Sequence, residues 1–128
     1  LKEDECFIEL SEFGDGIKQF IIIFLSLYLN KDKVIFIDEI ENGIHYTLLD
    51  KLWEIILTIS KEQNVQVFTT THSKECIESY ARVSKKLKDE DISFIELGRD
   101  KENKLSSIVY PYDWFLDEIS QNHEVRGW

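Results

Sequence analysis

Val34-Ile35-Phe36-Ile37-Asp38-Glu39 sets four large apolar residues directly before two carboxylates. An unbroken apolar run of that length predicts a strand of a parallel sheet, covered on both faces, with the acids at its carboxyl end. That end is where open α/β sheets bind ligands. Downstream, Leu48, Leu49, Leu52, Trp53, Ile55, Ile56 and Ile59 recur at three- and four-residue steps, which predicts a helix over residues 47–61. Residues 65–71 follow as a second strand rich in β-branched side chains. Strand, helix and strand in that order make a βαβ unit, so the two strands are expected to run parallel.

The rest of the chain fits around this unit. Residues 6–10 read as a short strand and residues 11–16 as a glycine-containing turn. Residues 17–29 are apolar nearly all round, which predicts a core helix. Gly43 is expected to take a positive φ, and Ser73 to cap a helix with Cys76, Ile77 and Tyr80 facing inward. Residues 92–97 and 105–110 predict two strands of a hairpin joined by the polar stretch 98–104. A terminal helix over 113–121 would bury Tyr112, Phe115, Leu116 and Ile119. Residues 85–91 read as a solvated charged helix end or loop. The fold class is therefore α/β: parallel strands with flanking helices, plus a C-terminal hairpin and helix.

Composition narrows the function. The chain has 128 residues, is 43% hydrophobic and 12% aromatic, and so can bury one core. Its net charge is −10, which repels a phosphate backbone and argues that this segment does not contact nucleic acid directly. Cys6 and Cys76 fit no CxxC pattern and read as free buried thiols of a reducing, cytoplasmic setting. His72 and Cys76 are four apart, but with no second ligand pair a zinc site is disfavoured. No apolar run reaches the roughly 17–25 residues that span a bilayer. The opening is neither an initiating Met nor a signal peptide, and the expectation is a fragment of something longer.

If the two strands are neighbours, Asp38-Glu39 and His72 emerge side by side, since both follow strand carboxyl ends. Asp38 suits a magnesium ion, a hard cation that takes oxygen ligands. Glu39 could polarise a water aimed at a terminal phosphate, and His72 could donate a hydrogen bond to that phosphate. Phosphoryl transfer asks mainly for positioning and charge neutralisation, so few residues suffice. Gly14, Gly16 and the amides that follow could cradle a phosphate at a helix N-terminus.

Residues 34–39 resemble a Walker B motif with its catalytic glutamate. Thr69-Thr70-Thr71-His72-Ser73 resembles the switch-histidine segment of ABC-class ATPases, residues 40–45 resemble their D-loop, and residues 10–18 their signature loop. The set, with the ending Glu124-Val125-Arg126-Gly127-Trp128, resembles the predicted bacterial and archaeal ATPases related to the structural-maintenance-of-chromosomes and RecF proteins. The resemblance implies a partial P-loop NTPase domain over residues 1–128, with ATP and Mg2+ as ligands. It implies Glu39 and His72 as catalytic residues, Asp38 at the metal, and Ser11, Gly14 and Gly16 as a nucleotide-binding loop acting across a homodimer. The usual loop is Leu-Ser-Gly-Gly-Gln, so Ser11 admits two registers. A P-loop needs Gly-x-x-x-x-Gly-Lys, and none of the five glycines precedes a lysine. The expected partner is thus an N-terminal half, or a full-length subunit, that carries Walker A; without it the chain should be inactive. Two alternatives stand: a non-catalytic interaction domain that keeps the fold, and a metal-dependent nuclease using Asp38, Glu39 and Glu41. Glu41 itself reads as a solvated loop charge, slightly ahead of a third acid. His45 could pack beside Tyr46 or contact a second subunit.

Overall fold

The computed structural model describes residues 14–121. Within it, helix α1 (Asp15–Leu29) leads to strand β1 (Val34–Ile37), a 3-10 turn (Tyr46–Leu48) and helix α2 (Leu49–Gln63). Strand β2 (Gln66–Thr69), helix α3 (Lys74–Leu87), strands β3 (Ser93–Arg99) and β4 (Leu105–Pro111), and helix α4 (Tyr112–Ser120) follow. The expected strand at residues 6–10, the Cys6 thiol, Ser11 and the ending at 124–128 lie outside the described residues.

β1 and β2 pair in parallel, in the register Val34↔Gln66 to Ile37↔Thr69, as the βαβ reading requires. The ladder does not stop at the strand ends. Thr70 N–H donates to the Ile37 carbonyl at 3.0 Å, and Ile40 N–H donates to the Thr70 carbonyl at 3.1 Å. The loop after β1 is thereby tied to the loop after β2. α2 ends on Asn64, whose left-handed conformation returns its N–H to the carbonyls of Ser60 and Lys61, and the chain drops straight into β2.

One core joins the helices. Ile23 and Leu27 of α1, Leu52, Trp53 and Ile56 of α2, Ile77 and Ala81 of α3, and Phe115 of α4 are all buried, and Ile40, in the chain between β1 and the 3-10 turn, is buried in the same cluster. Burying the Ile, Leu and Phe side chains among them stabilises the fold by about 1.5–3 kcal/mol each. The Trp53 indole N–H donates to the Cys76 carbonyl at 3.1 Å and pins α2 on α3. Trp53, Tyr80, Phe115, Phe94 and Tyr110 form a chain of ring contacts that fastens the hairpin and α4 to the helices. α4 keeps its expected inward face of Tyr112, Phe115, Leu116 and Ile119.

Two burial expectations are corrected. Among the described residues β1 is covered on one face only: Ile35 and Ile37 join the core, while Val34 is half exposed and Phe36 is 78% exposed, stacked on Phe68 of β2. α1 is likewise not a core helix. Ile23 and Leu27 are buried, but Ile17, Ile22, Phe24, Leu25, Tyr28 and Leu29 are exposed. The cause is the same in both places. These surfaces are apolar enough for a second layer, and the described residues supply one layer only.

Three local expectations also shift. β3 extends to Arg99, and Gly98 pairs with Ser106 inside the ladder. The turn is made by Asp100, whose carboxylate accepts the N–H groups of Glu102 and Lys104 at 2.9 Å, with Asn103 at positive φ. The charged stretch after α3 is not wholly solvated, because Asp89 is buried and ion-paired with Lys61 at 2.7 Å. Finally, α1 begins at Asp15, so Gly16 lies in the first helical turn and not in a loop.

Candidate functional site

Asp38 and Glu39 leave β1 at the edge where Thr70–His72 leave β2, and Asp38, Glu39 and His72 are all exposed to solvent there. The parallel register is what brings them to one rim. Thr70, which sequence reasoning did not single out, bridges the two segments. Its hydroxyl donates to Asp38 Oδ1 at 2.5 Å and accepts the Glu39 N–H at 2.9 Å. One hydroxyl therefore ties the Asp38 carboxylate and the Glu39 backbone to the segment after β2. Glu39 sits at φ +46°, a left-handed conformation that a non-glycine residue holds only when its surroundings impose it. The imposed bend turns the chain sharply out of the strand at this acid, and the Glu39 carbonyl accepts Asn42 N–H at 2.9 Å to close the turn.

His72 is held through its backbone. Its N–H donates to Glu41 Oε1 at 3.1 Å, and Ser73 N–H donates to the Thr71 hydroxyl at 3.1 Å. Ser73 caps α3 as expected, its hydroxyl accepting Cys76 N–H at 3.1 Å. Glu41 is thus not a solvated loop charge: it is partly buried and joins the two loops. The Cys76 thiol behind it is pushed up to about 11, chiefly by burial, with the Glu41 charge adding to the rise. A thiol so protonated is a poor nucleophile. His45 caps the 3-10 turn, and its ring lies against Tyr46 with centroids 4.4 Å apart.

The glycines approach the same loop from α1. Gly14 is the N-cap, and its carbonyl accepts Ile17 and Lys18 N–H at 3.0 and 3.2 Å. Gly16 has a packing reason to be glycine: a β-carbon there would stand 2.9 Å from the Gly43 carbonyl oxygen. Gly43 takes φ +74°, as expected. The helix start and the loop that follows Glu39 are therefore in van der Waals contact. Ser11 lies outside the described residues.

Among the described residues, no group of three or more His, Cys, Asp or Glu side chains is arranged to hold a metal ion. An exposed acid beside the exit of a strand still suits magnesium, which keeps several waters and takes one or two carboxylates together with substrate phosphates.

A family model described as "AAA domain, putative AbiEii toxin, Type IV TA system" matches residues 3–78, more than half of the chain. The chain belongs to this AAA-domain family. The match takes in every candidate site residue and ends inside α3, before the hairpin and α4. A Helicobacter pylori protein named ATP/GTP phosphatase is 43% identical over 74 residues, 56% of this chain and 20% of that protein. The chain thus spans about a fifth of that relative's length. An uncharacterized protein of Methanocaldococcus jannaschii is 35% identical over 95 residues, 74% of this chain and 82% of that protein. No solved structure matches the chain. No helix among the described residues is long and apolar enough to cross a membrane.

The contact between α1 and the loop can be tested in this AAA domain. Gly16→Ala meets backbone, which yields poorly, and should destabilise the chain by about 1–3 kcal/mol in urea unfolding. Gly14→Ala meets nothing within 4 Å and should cost less than about 1 kcal/mol. Equal losses for the two variants would contradict the packing role of Gly16.

Proposed function

We propose that the chain is the acid-bearing part of a nucleotide-hydrolysing P-loop domain. In this reading Asp38 holds the magnesium that accompanies ATP, directly or through water. Glu39 orients and deprotonates the attacking water. His72 donates a hydrogen bond to the terminal phosphate. The magnesium, when bound, neutralises phosphate charge during transfer. The observation that carries the reading is the Thr70 bridge, which couples two exposed acids after β1 to the segment that presents His72. Family membership and the phosphatase name of the Helicobacter pylori relative support nucleotide hydrolysis in general. The finer reading is an ABC-class site: residues 34–39 as Walker B, residues 10–18 as a signature loop with Ser11, Gly14 and Gly16 acting on the nucleotide of a second copy, and a dimer that closes on ATP.

A nuclease reading fits less well, because Glu41 is engaged at the start of α3 and does not complete a cluster with Asp38 and Glu39. The non-catalytic reading keeps one observation in its favour, the lack of a Gly-Lys-Ser or Gly-Lys-Thr loop in these residues. The apolar surfaces of α1 and of β1 with β2 favour completion by a Walker A half that covers them. The test is phosphate release with MgATP. The 128-residue chain alone should give none above buffer. Addition of a separately encoded half carrying Walker A, or expression as one longer chain, should restore turnover. Hydrolysis by the isolated chain, or no nucleotide binding after completion, would overturn the proposal.

A further inference from the structure

We propose that Glu41 is a positioning residue of this site, which sets where His72 stands relative to Asp38 and Glu39; the inference rests on the nucleotide-hydrolysing reading above. Glu41 lies two residues beyond Glu39, inside the turn that Glu39 begins and Asn42 closes. Its backbone carbonyl accepts Ile44 N–H at 2.9 Å, so the residue is fixed in the loop by its main chain. Its side chain then crosses to the other loop, where Oε1 accepts the His72 N–H at 3.1 Å. Oε2 is buried and has no hydrogen-bond partner among the described residues. A carboxylate with one oxygen stripped of water and unpaired is costly, and such a group needs a reason beyond solubility. The start of α3 gives it a favourable field, since a negative charge is stabilised at a helix N-terminus. Among the described residues, the one directed bond its carboxylate makes is to the peptide of the residue read as the phosphate sensor.

Two side-chain ties between the loops divide the work. Thr70 holds Asp38 and the Glu39 backbone, while Glu41 holds the backbone of His72. Without Glu41 the His72 peptide loses its acceptor from the β1 side, and the imidazole can drift from the acids while the nucleotide remains bound. Glutamine at this position still offers an oxygen to the His72 N–H; alanine offers none.

The experiment uses the completed ATPase and steady-state MgATP hydrolysis for wild type, Glu41→Ala, Glu41→Gln and Glu39→Gln. Glu41→Ala should lower kcat by about tenfold or more with KM changed by less than about twofold, the pattern of a lost transition-state interaction. Glu41→Gln should recover most of that loss. Amide hydrogen exchange in the same proteins should be faster at His72 in Glu41→Ala and unchanged at Ile77, whose N–H bonds within α3 to the Ser73 carbonyl. Wild-type kcat in Glu41→Ala, beside a dead Glu39→Gln, would overturn the role of Glu41 alone. So would a loss that Glu41→Gln fails to rescue, or unchanged exchange at His72. Full turnover in Glu39→Gln would instead overturn the reading of the site, and the role of Glu41 with it.

Discussion

Glu39→Gln in the completed ATPase should bind MgATP and hydrolyse it at least about a hundredfold more slowly, the usual scale for removal of a positioned general base. Glutamine is nearly isosteric and keeps the hydrogen bond from its backbone N–H to the Thr70 hydroxyl, because that bond does not involve the side chain. The left-handed turn at this residue and the Asn42 N–H bond to its carbonyl should also survive. What is lost is the ability to take a proton from water. Nucleotide affinity should therefore hold or rise while product formation slows, and single-turnover measurements separate the two. A Glu39→Gln protein with wild-type turnover would remove the acid from the mechanism.

Thr70→Val should slow turnover about tenfold to a hundredfold, the equivalent of losing one hydrogen bond to a charged group worth about 1.5–3 kcal/mol. Valine keeps the branched shape and loses only the hydroxyl. Asp38 Oδ1 then lacks its donor, and the Glu39 N–H lacks its acceptor. Both acids are exposed, so water can replace these partners and the fold should lose no more than about 1 kcal/mol in chemical denaturation. The two readouts thus move apart: a large loss in kcat with nearly unchanged stability. Thr70→Ser, which retains the hydroxyl, should keep most of the activity. If Thr70→Val and Thr70→Ser are equally active, the bridge has no part in positioning the acids.

The apolar run that ends in Asp38-Glu39 made the βαβ unit legible, because a strand followed by an amphipathic helix and a second β-branched strand leaves few topologies. Thr70 was not legible in the same way. Three consecutive threonines occupy 69–71, and only the register Ile37↔Thr69 decides which hydroxyl faces Asp38. A polar residue one step past the end of the neighbouring strand was the signal available, and it becomes specific only once the pairing is known. Glu41 had the appearance of loop charge because its partner is a backbone N–H thirty-one residues away. The misjudged burial of α1 and β1 has a different origin. An apolar side chain declares that a surface is meant to be covered, not which residues cover it. For Phe36, Phe24 and Leu25, no covering layer stands among the described residues. Gly16 shows the converse: its glycine was noticed for phosphate binding, and its immediate reason is the Gly43 carbonyl.

The most direct measurement is a structure of the completed ATPase with magnesium and a non-hydrolysable ATP analogue. A magnesium ion is expected on Asp38, directly or through water, with the terminal phosphate flanked by the Glu39 carboxylate and the His72 imidazole. A nucleotide bound away from the rim shared by β1 and β2, or one that leaves all three of these side chains in solvent, would contradict it.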